Sequence, residues 1–191
     1  MYVLAGCPNF GLMPRLTKSD WFAEGLRILS EFAQDKIKIL YLCKRFGVTR
    51  GSFYHHFVSI DDYIEALMSY WADHNTRDFI KAANQGASPM ERIAILNDMV
   101  IKAEVSVEAA IRSWSYYNEI VRKKVAIVDQ LRLSYLKQIF LDMDMDDPTA
   151  QAMANLEYAL LVGVQQLFPK ATQKEMEAMY KVHQQFRAID V

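Results

Sequence analysis

The sequence predicts an all-α protein, and three observations carry that prediction. Its 191 residues include only seven glycines and five prolines, and long stretches contain neither, whereas a sheet protein shows turn signals about every ten residues. Apolar residues recur at three- and four-residue spacing along most of the chain, which is the period of a helix with one buried face. The content is 52% hydrophobic and 12% aromatic, enough for one large core or for a small unit joined to a larger one.

Residues 1–16 come first, and Pro8, Gly11 and Pro14 mark them as a flexible tail. They lack a basic segment and are interrupted by Pro8, which argues against a secretory signal. No apolar run reaches transmembrane length, so a cytoplasmic location with no membrane partner is expected. From Thr17 the pattern turns helical: Trp21, Phe22, Gly25, Leu26, Leu29 and Phe32 share one face, with Ser19 as the expected cap and Asp20 in the first turn. A second helix buries Ile39, Leu42, Cys43 and Phe46. Gly47 then supplies the backbone freedom of a helix end, and Thr49 is placed to cap a third short helix. Val48, Phe53 and Phe57 complete a three-helix core.

After Ser59 a long helix is expected to run to about Ala83, with Asp61 and Asp62 at its positive end and Tyr63, Leu67, Tyr70, Trp71 and His74 along one face. The stretch from Gln85 to Pro89 breaks it. Five further helices are expected over about 89–104, 107–116, 119–143, 148–168 and 174–189. The boundary between a first unit, 17–64, and a second, 65–191, falls inside the long helix. The acidic run at 142–147 lacks the glycine and distal glutamate of a calcium loop and reads as a solvated turn.

Charge is divided unevenly. Residues 1–60 carry +4 and the remainder −5, within a net charge of −1. A basic first third beside an acidic remainder suits a protein that rests one end on phosphate and keeps the other away. Enzyme chemistry is poorly represented. There is no G-x-S-x-G elbow, phosphate-cradling glycine loop or dinucleotide fingerprint. Cys7 and Cys43 have no metal-ligand spacing, and His55, His56, His74 and His183 have no cysteine or acid at a catalytic spacing. No catalytic site, metal or cofactor is therefore expected.

The functional signal is the run from Lys44 to Phe57, which has the punctuation of a helix-turn-helix. A helix entering the major groove needs small or hydrogen-bonding side chains at its tip, and Thr49-Arg50-Gly51-Ser52 meets that need. Arg50 can fork onto a guanine or clamp a phosphate, Thr49 and Ser52 can serve bases or phosphates, Gly51 lets the backbone come close, and Tyr54 can donate to a phosphate. His55 joins this outer face, His56 divides between contact and support, and Lys38 is a further expected DNA contact.

These residues carry a resemblance. From about Trp21 to Trp71 the chain is similar to the DNA-binding domain of TetR-family transcriptional repressors, through Gly47-Val48-Thr49, Tyr54-His55-His56-Phe57, and Ser59 with Asp61 and Asp62. It departs at Ile60, where the family often has lysine. Arg112-Ser113-Trp114, Asp129, Arg132 and the alanine-rich segment from Ala150 to Gly163 resemble, more loosely, the regulatory half of one branch of that family. The resemblance implies a homodimeric repressor on a near-palindromic operator, with a chamber for a small apolar or aromatic effector in a C-terminal ligand-binding and dimerisation bundle. Met68, Met99, Trp114, Tyr116, Tyr117, Phe140 and Tyr158 are candidates to line it, although each would serve a plain core equally well. The expected dimer face has Ala152, Ala159, Val162 and Gly163 on one helix, with Met179, His183 and Phe186 on the last, beside Met176, Tyr180 and Val182. The alternative is a helical adaptor that keeps the fold without binding DNA.

Overall fold

The computed structural model describes residues 16–187, with side chains as far as residue 185. Residues 1–15 of the expected tail, the Phe186 side chain and the end of the last helix lie outside that range, whereas Leu16, the last residue assigned to the tail, packs against the main core. Among the described residues every regular element is a helix. Helix α1, Lys18–Phe32, begins two residues earlier than a cap at Ser19 implies and is capped by Thr17 instead. The backbone is still extended at Thr17, so its hydroxyl accepts from Asp20 N (3.3 Å) while Asp20 Oδ2 accepts from Thr17 N (2.7 Å). This reciprocal pair satisfies two amides that the first turn leaves unpaired, and it holds the Asp20 carboxyl below the usual carboxylate range.

A 3-10 turn, Ala33–Lys36, leads into α2, Ile39–Phe46, which ends at Gly47 in the left-handed conformation (φ 67°). A short α3 follows, Arg50–Tyr54. Thr49 occupies its cap position, but its hydroxyl makes no capping bond. The first turn is closed by the Thr49 carbonyl instead, which accepts from Ser52 N at 3.0 Å. Ser59 caps α4, Ile60–Ala72, which passes through a wide π turn at Asp73–Arg77 into α5, Asp78–Ala83. The expected long helix is thus one rod with a bulge in it.

Five helices complete the chain: α6 Pro89–Lys102, α7 Val105–Ser115, α8 Glu119–Leu141, α9 Asp147–Leu167 and α10 Gln173–Arg187. The acidic run between α8 and α9 works as an end structure. Asp146 caps α9 through Thr149 N, and Asp142 takes a 2.7 Å ion pair from Arg92 on α6.

Helices α1 to α3 close around an aromatic core on the first half of α4. Trp21, Phe53, Phe57 and Tyr63 are fully buried, with edge-to-face contacts between their rings. The Tyr63 hydroxyl donates to Trp21 O at 2.9 Å, which settles the one polar atom that its burial would otherwise strand. Gly25 allows this approach, because a Cβ there would collide with that hydroxyl. The same core continues along α4 through Leu67, Met68 and Trp71 to Ile111 and Trp114 of α7 and Val121 and Val128 of α8. Two smaller clusters lie beyond it, one around Ile139, Phe140 and Ala154, the other around Val105, Val164, Met176 and Tyr180.

Candidate nucleic-acid interface and interior chamber

Helix α3 is anchored by a single fully buried side chain, Phe53, set against Trp21 at 5.5 Å between ring centroids. With Phe53 inward, the rest of the helix faces out. Thr49, Arg50, Gly51, Tyr54 and His55 are exposed and Ser52 is half-buried. Arg50 Nη2 donates to Tyr54 Oη at 3.3 Å and its guanidinium lies over the Tyr54 ring, so both are held on the outer face of the helix. His56 is half-buried with its ring 6.3 Å from Trp21 and 6.1 Å from Phe57, on the supporting side. Cys43 is buried beneath the turn with its thiol 3.6 Å from Thr49 O, and burial pushes that thiol up.

Beside α3 runs a groove in which Lys36, Lys38, Lys44 and Arg50 line the wall with no acidic residue among them, and Leu40 protrudes at its edge, 69% exposed. Four cations on one face are the arrangement that attracts a phosphate backbone irrespective of sequence. Arg45 does not join them. It donates to Glu24 (2.5 Å) and Glu31 (2.8 Å) of α1 and serves to clamp α2 to α1. Ile60 also lines the groove, so an apolar side chain stands there.

The second half of the chain contains a chamber of about 90 Å³, walled by the π turn and α5 on one side and by α6, α7, α8, α9 and α10 on the others. Phe79, Ile93, Leu96, Leu136 and Leu161 give it apolar surface. At its base lies a partly buried ionic network. Arg112 pairs with Asp129 at 2.8 Å and Glu108 at 3.0 Å, and Arg132 pairs with Glu108 at 2.9 Å. Tyr158 accepts from Arg112 and donates to Asp129, each at 2.6 Å. Burial pushes the Tyr158 phenol up to about 12, although the two arginines pull it down. Arg132 also donates to Thr76 Oγ1 (3.0 Å) and to the Asn75 carbonyl (3.2 Å), so it pins α8 to the π turn.

No protein-family model matches the sequence, and no curated protein matches it. Solved structures do. A transcriptional regulator from Rhodococcus sp. Rha1 superposes with a TM-score of 0.73 at 14% identity, over 85% of this chain and 91% of that one. The fatty acid degradation regulator FadR from Bacillus halodurans gives 0.69 at 16% identity, over 91% and 95%. A Rhodococcus sp. protein assigned to the TetR family of transcriptional regulators gives 0.59 at 18% identity, over 86% and 96%. The chain has the TetR-type regulator fold.

Within this TetR-type fold the nominated residues fall into distinct places. Thr49, Arg50, Gly51, Ser52, Tyr54 and His55 come together on one outer face, and Lys38 lies in the adjoining groove. Lys36 and Lys44 join this face without a sequence motif to mark them, because only the packing of the turn brings them beside Arg50. Of the chamber candidates, Tyr158 lines the space. Met68 and Trp114 are packed in the main core and Phe140 in the second cluster, because the helix faces they occupy meet other helices rather than the void. Met99 is half-buried away from the chamber wall. Tyr116 and Tyr117 are each 83% exposed, because α7 ends at Ser115 and the turn carries them outward.

The nominated pairing residues also separate. Ala152 and Ala159 are exposed along α9 and Val162 and Gly163 half-buried, with nothing within 4 Å of where a Gly163 Cβ would sit. Met176 and Tyr180 are buried against α6, α7 and α9 of the same chain, Met179 packs at the edge of that cluster, and His183 Nε2 lies 3.7 Å from Glu157 Oε1. Part of the apolar face of α10 is therefore used within the chain.

Proposed function

We propose that this chain is a DNA-binding transcriptional regulator, a repressor that acts as a homodimer and is released by a small effector held in the C-terminal bundle. The observation that carries the reading is a physical connection. One rod, α4 through α5, packs its first half under the reading helix and supplies Asn75, Thr76 and Phe79 to the chamber wall. An effector that favours one arrangement of that wall biases the position of the reading helix by its differential affinity for the two arrangements.

In this mechanism residues 17–64 form the reading head. Arg50, Thr49 and Ser52 meet base edges or phosphates in the major groove, while Lys36, Lys38 and Lys44 neutralise phosphates alongside. Residues 65–191 form the regulatory and dimerisation part. The stripe of exposed Ala152, Leu156 and Ala159 with half-buried Gly163 on α9 supports pairing there, since small side chains let a second copy of the helix approach closely and Leu156 is 66% exposed. A twofold pair of heads prefers a near-palindromic site with half-site centres about 34–36 Å apart. No helix among the described residues is long and apolar enough to cross a membrane.

Selection of bound fragments from genomic DNA by the purified protein tests the reading. Enrichment of near-palindromic fragments with steeply salt-dependent affinity is expected. A protein that retains no fragment even at low salt would instead be a helical adaptor with this fold.

A further inference from the structure

The chamber has a chemical preference written into its wall. Gln165 on α9 lines it and is only 5% exposed, and its Oε1 has no hydrogen-bond partner. A buried amide oxygen without a donor carries the full cost of its lost hydration, so a ligand that brings an N–H or O–H to it recovers that cost on binding. The second feature is charge. Among the described residues that line the chamber, Arg132 is the only base, while Glu104, Glu108 and Glu157 are acids. Arg132 directs its fork at Thr76, the Asn75 carbonyl and both oxygens of Glu108, so four of its five N–H donors are already engaged within the protein. An anionic ligand would meet carboxylates and an occupied arginine. A cationic donor would meet the Gln165 acceptor and the carboxylate of Glu157, whose side chain is 11% exposed and lies 3.7 Å from His183 Nε2.

We propose that this chamber takes a small primary amine on an apolar body, with the ammonium donating to Gln165 Oε1 or lying beside Glu157 and the hydrocarbon against Phe79, Leu96 and Leu161. The assignment rests on reading the chamber as an effector site and adds the ligand class. The free volume of about 90 Å³ is smaller than the engineered cavity of about 150 Å³ that admits benzene. The first probe is therefore a short-chain amine.

The test compares n-butylamine, n-butanol and butyrate as ligands of the whole protein at neutral pH, by thermal shift and by saturation-transfer NMR. Butylamine should bind at least about tenfold more tightly than butyrate, with butanol between them. Gln165→Leu and Glu157→Gln should each weaken the amine and narrow its advantage. Gln165→Leu should also melt no lower than wild type in the absence of ligand, because replacing an unpaired acceptor by an apolar group of similar size removes a penalty. Equal binding of butyrate and butylamine, amine binding unchanged in both variants, or no binding by any of the three would overturn the assignment. These outcomes are independent of DNA binding, which has its own test in fragment selection. A failure here leaves the regulator reading standing.

Discussion

The three-helix head and the chamber-bearing bundle solve the same problem, burying the faces of short helices, in opposite ways. The head closes on aromatic rings in edge-to-face contact, with its one deeply buried hydroxyl paired to a backbone carbonyl and its ion pairs confined to the rim around Arg45. The bundle keeps a void, a π turn and a partly buried network of two arginines and two acids. A dry aromatic core has one good packing and resists deformation. The void leaves the bundle less tightly packed than the head, and a π turn inside a helix is a feature frequent at functional sites. The difference matches the division of labour proposed above, in which the head presents side chains in fixed positions and the bundle responds to a ligand.

The largest expected effect would break the head. Phe53→Ala removes the single anchor of α3 from a fully packed site, which costs about 3–5 kcal/mol. Urea unfolding should show that loss, and DNA binding should vanish with it. If the variant melts like wild type, the reading helix is not held by its core and the rigidity assigned to the head is mistaken.

The bundle should answer differently to the loss of a partner. Arg132→Leu leaves Glu108 with Arg112 alone and strips the π turn of its pin, at an expected cost of about 3 kcal/mol. The double variant Arg132→Leu with Glu108→Leu should recover much of that, because no unbalanced charge remains. Strictly additive losses would mean that the two residues act separately.

Alkaline pH sharpens the comparison from both sides. The phenols of Tyr63 and Tyr158 are pushed up by burial, Tyr158 to about 12, from a usual value of about 10. A phenol whose pKa is higher in the folded state favours folding below its unfolded value, and that contribution is lost as pH rises from about 10 through the folded value. The contribution of these phenols should thus be constant below that range and fall within it. Tyr158→Phe should reduce the slope, while leaving the part due to Tyr63, Tyr135 and Tyr180, whose phenols burial also pushes up. A slope unchanged in Tyr158→Phe would remove Tyr158 from the account. The smallest effect is local: Thr17→Ala should lower stability by about 1 kcal/mol through loss of the capping box at α1. Ser19→Ala should do almost nothing.

The head was far more legible in the sequence than the chamber, for a physical reason. A helix-turn-helix is encoded within a few residues, by Gly47 in the left-handed conformation, by Phe53 and Phe57 pointing inward, and by Ser59 capping the next helix. A chamber is encoded by which helix faces which, and apolar residues at helical spacing look alike whether they fill a core or line a void. Met68, Trp114 and Phe140 went into cores for that reason, and Tyr158 reached the chamber by the same spacing. Arg112, Asp129 and Arg132 stood out only through family resemblance, since they are too far apart in sequence to suggest a network. The π turn has no sequence signal at all. It arises where the helix wall meets Arg132.

The central claim is that α3 reads DNA, and its most direct test is a fluorescence-anisotropy titration of a selected fragment with wild type and Arg50→Ala over a range of salt. Arg50 is exposed, and its only neighbour in α3 by hydrogen bond is Tyr54, so the variant should unfold as wild type does. If Arg50 meets a base, about 1–3 kcal/mol of discrimination should be lost at one position of the site; if it meets phosphate, all sequences should weaken alike and the salt slope should flatten. Either result agrees with the account. Unchanged affinity and unchanged salt slope in a folded Arg50→Ala protein would contradict it.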